Sequence, residues 1–168
     1  MKNMDDMLKR IPDACAKIVG TADYPDIHGM VYFYDVFGGT IVAAEIYGLP
    51  DDENPENGKF FGFHIHEGEK CTGNAEDPLK DTKAHYNPLN QEHPQHAGDL
   101  PMLLSVNGTA WTYVYTGRFY PENVIGRTVV IHLHPDDYHT QPSGDSGMKI
   151  ACGEIIESLV WEDSKKKN

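Results

Sequence analysis

His64 and His66 flank a single residue in Phe63-His64-Ile65-His66-Glu67. Further imidazoles follow in Ala84-His85-Tyr86-Asn87-Pro88, in His93-Pro94-Gln95-His96-Ala97-Gly98-Asp99 and in Val130-Ile131-His132. Six histidines and one aspartate in this pattern read as two metal sites that share a ligand. Imidazole is the common donor for copper and zinc, and one carboxylate among imidazoles suits zinc better than calcium or magnesium. Of the nine histidines, seven lie between residues 64 and 134, a concentration that random scatter does not produce.

Each group has its own logic. On a strand, His64 and His66 leave the same face with Cα atoms roughly 6.5 Å apart, a span that two imidazoles can close around one ion. The competing reading of this pair is a half-exposed polar strand face. His132 ends another strand and can bring a third nitrogen, and His85 a fourth. His93, His96 and Asp99 are spaced as on one helix face, but Pro88, Pro94 and Gly98 argue against a helix. A loop wrapped around an ion is the better reading, against a polar loop that merely happens to hold histidines. With His85 turned toward it, that loop would make a closed tetrahedral zinc site, which is structural and not catalytic.

These donors need a scaffold. Alternation of apolar and polar residues predicts strands at Ala14 to Val19, Gly29 to Phe37, Thr40 to Leu49 and Phe60 to His66, with Gly38-Gly39 as a hairpin turn. Strands resume at Thr109 to Thr116, Arg127 to Leu133 and Lys149 to Ile156. Seven or eight short antiparallel strands make an all-β sandwich or barrel. Two long stretches without strand period, Glu67 to Met102 and His134 to Met148, are where function should sit.

At 168 residues the chain is long enough for one domain, and sixteen glycines with eleven prolines favour turns over long helices. Residues 1–12 and 159–168 read as tails around a domain at 13–158. The formal charge of -12 argues against nucleic acid or an anionic membrane as partner. No apolar run is long enough to span a bilayer. Met1 to Pro12 lacks the apolar core of a secretory signal, so a cytoplasmic protein is expected. That compartment disfavours disulfides among Cys15, Cys71 and Cys152, and a small buried hydrophobe is the plain reading of each.

In order and approximate spacing, the histidine segments resemble the copper/zinc superoxide dismutases. Gly126-Arg127-Thr128-Val129-Val130-Ile131-His132 and Ala151-Cys152-Gly153 belong to the same match, which covers roughly Ala14 to Ile156. The resemblance implies an immunoglobulin-like Greek-key sandwich or barrel of about eight antiparallel strands with two long functional loops, a fold known for that family. It implies copper on His64, His66, His85 and His132, and zinc on His85, His93, His96 and Asp99, with His85 bridging as imidazolate. The implied activity is dismutation of superoxide to oxygen and hydrogen peroxide by the redox-cycling copper, with zinc structural. Asp136 matches the outer carboxylate that orients a ligand of each metal. Cys71 and Cys152 match the family's intrasubunit disulfide, a match that outweighs the compartment argument; Cys15 has no counterpart and reads as a buried thiol. Dimers are common in the family, so a homodimer is one assembly it allows, although no interface can be placed.

The match also has departures. Lys149 stands where the familiar members carry an arginine, and it would hold an anionic substrate as a point charge without the planar fork. The interval from His93 to His96 is short. His134 and His139 lie near His132 and read first as surface residues, with alternative ligand or proton relay as other roles; His28 reads as structural. A copper- or zinc-handling protein would be expected to lack a copper ligand or the positive residue, and neither is lacking. A zinc hydrolase would need a general base, for which Glu67 is the one neighbour, on the wrong strand face.

Overall fold

The computed structural model describes residues 10–51 and 59–158. Most of the two expected tails, 1–12 and 159–168, lies outside the described residues. The strands are β1 (Ala14–Gly20), β2 (His28–Val36), β3 (Gly39–Tyr47), β4 (Lys59–Phe61), β5 (Phe63–His66), β6 (Leu103–Val106), β7 (Thr109–Thr116), β8 (Thr128–His132) and β9 (Lys149–Glu157). They form one antiparallel sheet in the order β4-β6-β7-β3-β2-β1-β9-β8-β5.

The two ends of that order are neighbours in sequence. β4 pairs with β6, β5 pairs with β8, and only Gly62 separates them. One extended segment is therefore the seam that turns the sheet into a nearly closed barrel. Gly62 donates to the His134 carbonyl at 2.8 Å and accepts from the His132 N–H at 2.9 Å. The expected single strand from Phe60 to His66 is thus two strands with different partners. β6 escaped the sequence reading because four residues, Leu103-Leu104-Ser105-Val106, are too few to show a period. The β2–β3 turn centres on Phe37 and Gly38, and Gly39 already pairs with Val36.

Alternation fills the barrel. Phe33, Phe61, Phe63, Ile65, Ile131 and Ile155 point inward and are almost wholly buried, each contributing roughly 2 kcal/mol of apolar transfer. β7 follows the same rule: Ala110 faces the core, while Trp111, Tyr113 and Tyr115 face solvent. β5 and β8 break it. Every residue of both strands is buried, because the long loops cover their outer faces. Val130 packs under that cover with Leu79 and Cys152, and Cys71 is bonded to Cys152. The disulfide spans 81 residues of sequence and ties the loop after His66 to β9.

Candidate metal centre

Phe63 and Ile65 face the core, so strand geometry sends His64 and His66 out of the opposite face, where they are 0% and 2% exposed. β8 supplies His132 alongside. The loop donors are placed by backbone pairing against the outer edge of β5. Tyr86 donates to the Ile65 carbonyl at 2.8 Å, Ile65 donates to Gly98 at 2.9 Å, and Glu67 donates to Ala84 at 2.9 Å. These bonds set His85 across from His66 and Asp99 across from His64. Gly98 is needed there, since a Cβ at this position would stand 2.2 Å from the Ile65 carbonyl oxygen.

Two quartets result. One ligand atom from each of His64, His66, His85 and His132 lies within 4.8 Å of the others, and the same holds for His85, His93, His96 and Asp99. His85 belongs to both. Its Nδ1 lies 2.7 Å from Asp99 Oδ1, and its Nε2 is buried without a hydrogen-bond partner. Asp99 Oδ2 lies 3.0 Å from His93 Nδ1 and 3.3 Å from His96 Nδ1.

In the first quartet each histidine keeps one nitrogen inward and commits the other outward. His64 Nε2 donates to Asp136 at 2.7 Å, His66 Nδ1 to the Lys83 carbonyl at 2.8 Å, and His132 Nδ1 to the Gly147 carbonyl at 3.1 Å. The inward His66 and His132 Nε2 atoms stand 3.2 Å apart, and His64 Nδ1 is buried with no partner. Buried polar atoms are seldom orphaned. Here His64 Nδ1 and His85 Nε2 are orphaned together, and His93 Nδ1 and His96 Nδ1 face the Asp99 carboxylate without a well-formed hydrogen bond, all on the sides where the quartets converge. That is the donor arrangement a metal completes, and four imidazoles fit copper as three imidazoles with a carboxylate fit zinc.

The electrostatics agree. Burial pushes His64 down to about 4 and His132 to about 3, and holds His66 well below the ordinary histidine value; neighbouring imidazoles add to the effect. Burial also lowers His96. Burial alone would raise Asp99, but its hydrogen bond from His85 and the surrounding histidines leave it lowered. Burial would likewise raise Asp136, and the bonds it accepts from His64, the Tyr138 N–H and His93 hold it at about 2. Neutral imidazoles and charged carboxylates are the states that ligate.

Asp136 touches both quartets, since its second oxygen accepts from His93 Nε2 at 2.9 Å. Gly144, at φ +68, lies so close to Asp136 Oδ1 that a side chain there would displace the carboxylate. Other supports carried no sequence signal. Arg118 Nη1 donates to the carbonyls of Pro94, His96 and Asp99 at 3.0, 2.9 and 3.2 Å. The Gln141 amide grips the His93 backbone in both directions, accepting at 3.0 Å and donating at 2.7 Å. Lys149 sits across from His132 in the β8–β9 ladder, with its amine on Asp77 at 3.2 Å and on the Leu79 carbonyl at 3.0 Å. His134 and His139 are exposed, as is Glu67. His28 stacks on Tyr47 far from the cluster.

The family model for copper/zinc superoxide dismutase (SODC) matches residues 27–155. The chain belongs to the copper/zinc superoxide dismutase family. Among its relatives is the extracellular superoxide dismutase [Cu-Zn] of Rattus norvegicus, 29% identical over 158 residues, which cover 86% of this chain and 62% of that protein. Superoxide dismutase [Cu-Zn] 2 of Aquifex aeolicus is 29% identical over 157 residues, covering 84% of this chain and 85% of that protein. The Cu/Zn superoxide dismutase from Brucella abortus superposes with a TM-score of 0.71 at 25% identity, covering 84% of this chain and 98% of that one. The chain spans between 55% and 62% of the length of the mammalian relatives it matches.

The cytoplasmic expectation is overturned. The rat, mouse and rabbit relatives are named extracellular enzymes. The Cys71–Cys152 bond, expected from the family match against the compartment argument, is the kind that persists in oxidising compartments. The absence of an apolar segment near Met1 was too weak a basis for placing the protein.

Proposed function

We propose that this dismutase-family chain converts two superoxide anions to oxygen and hydrogen peroxide, using copper held by His64, His66, His85 and His132. Zinc is held by His85, His93, His96 and Asp99, and the working domain is residues 13–158. The observation that carries this reading is His85, the one side chain common to both quartets, with Nδ1 toward Asp99 and Nε2 left for the other group.

Copper bound there supplies the one-electron exchange, in which one superoxide loses an electron to become oxygen and a second gains it and, with two protons, leaves as hydrogen peroxide. The protein's own groups do the rest. His85 Nε2 is the atom placed to hold and hand on a proton, because Nδ1 is committed to the Asp99 side. Asp136 fixes the ring planes of His64 and His93, and the Lys83 and Gly147 carbonyls fix His66 and His132. Lys149 provides a positive charge beside His132 that can attract an anion despite the net charge of -12, because a local patch outweighs the total at one cleft. That same net charge argues against nucleic acid and an anionic membrane as partners.

The test pairs metal content by mass spectrometry with superoxide decay, before and after loading. One copper and one zinc per chain, with activity tracking copper, is the expected result. Copper and zinc both bound without turnover would replace this reading with a metal-handling protein.

A further inference from the structure

Asp77 is held more firmly than an exposed carboxylate usually is. Its backbone N–H and that of Glu76 donate to Asn74 Oδ1 at 2.9 and 3.0 Å, and its own carbonyl accepts from Asn74 and Lys80. Its Oδ1 accepts the Leu79 N–H at 3.0 Å. Leu79 is 5% exposed and packs with Val130 and Cys152, so the whole turn is anchored to the barrel. Only Oδ2 is left to look outward, and it faces the Lys149 amine at 3.2 Å. The Leu79 carbonyl, from the same turn, takes that amine at 3.0 Å. Lys149 is 18% exposed, and it is the cation paired with His132 across the ladder.

Two functions are combined in this turn. The carbonyl and the carboxylate hold a flexible four-carbon side chain in one place beside the metal centre, which positions the charge. The carboxylate also cancels much of that charge as seen by an approaching anion. An arginine could satisfy such a turn with one edge of its fork and keep another for substrate; an ammonium is a compact point charge and shares itself. We infer that Asp77 is a positioning residue that sets anion affinity at the copper site, holding Lys149 in place while attenuating its field. This rests on the dismutase reading for the site that the anion enters.

The probe is azide, a monovalent anion that is not turned over, titrated into the copper- and zinc-loaded protein and followed by visible absorption. Asp77→Asn keeps an oxygen for the Leu79 N–H but turns an amide NH2 toward Lys149, so the charge and its hydrogen bond go together and the Leu79 carbonyl alone keeps the amine beside the site. Azide should bind about threefold more tightly at low ionic strength, the size expected of one screened charge several ångströms away, with the gain vanishing in high salt. Asp81→Asn removes the same unit charge from the same turn at a carboxylate bonded to Thr72, and should change affinity far less. In a Lys149→Met background the Asp77→Asn gain should disappear. Equal effects at Asp77 and Asp81, or a gain that survives without Lys149, would overturn the inference and leave the dismutase reading standing. A chain that takes up no copper overturns both.

Discussion

The two quartets share a ligand but are built by opposite means. Three of the four copper-type donors sit on β5 and β8, where strand geometry and a packed core fix their positions. All four zinc-type donors lie on the loop between β5 and β6, whose shape depends on side chains reaching in from elsewhere: Arg118 after β7, and Asp136 and Gln141 before β9. A site on regular strands inherits its precision from the fold. A site on a loop must be held by bonds that are themselves part of the site, so its metal and its supports stabilise one another.

That difference can be broken most directly at Asp99. Asp99→Ala should lower zinc affinity by more than ~100-fold, measured by chelator competition, while copper uptake at the strand-built quartet falls far less. An equal loss of both metals would erase the distinction. Asp136→Asn tests the shared support and should weaken both sites, by ~10 to 100-fold each, because the carboxylate holds His64 and His93 alike. Arg118→Ala should cost zinc affinity about 10-fold and leave copper affinity unchanged, with Arg118→Lys restoring only part, since one ammonium cannot reproduce the fan of three carbonyl contacts. Copper affinity falling in step with zinc in Arg118→Ala would show that the loop supports the strand site too.

The smallest effect is a pH trend in the metal-free protein. His64 and His132 are held at about 4 and about 3 in the fold, against about 6.5 when unfolded. Below the unfolded value the unfolded chain takes up protons that the folded chain refuses, so stability falls as pH drops from 6.5 toward 3. Asp136, held at about 2, adds a further loss as pH falls below its ordinary 3.8. Urea midpoints at pH 7, 6 and 5 should decline in that order. A flat series would mean that these imidazoles are not kept neutral by burial.

The contrast between the quartets is also the contrast between what could and could not be read from residues. Most strands, the fold class and the histidine cluster were legible, because alternation and imidazole spacing are properties of side-chain order. Apart from Asp136, the supports were not. His66 and His132 are oriented by the carbonyls of Lys83 and Gly147, and Arg118 grips three more carbonyls, groups that every residue carries and no sequence pattern marks. Gly62 read as one glycine within a strand, when it is the point where the strand changes partner. Lys149 read as a bare positive charge, because its pairing with Asp77 joins the start of β9 to a turn 72 residues earlier.

The pairing of β1 with β9 has a consequence for how the chain comes into being. β1 must wait for β9, and Cys71 for Cys152, so the pairing that joins the two halves of the sheet and its covalent clasp both form only after β9 has been made. Because the seam strands also pair across long stretches of sequence, closure is dominated by non-local contacts, which places the protein among slow folders. Until β9 is available, the meander of β1, β2 and β3 is the largest block of structure that neighbouring residues can form on their own.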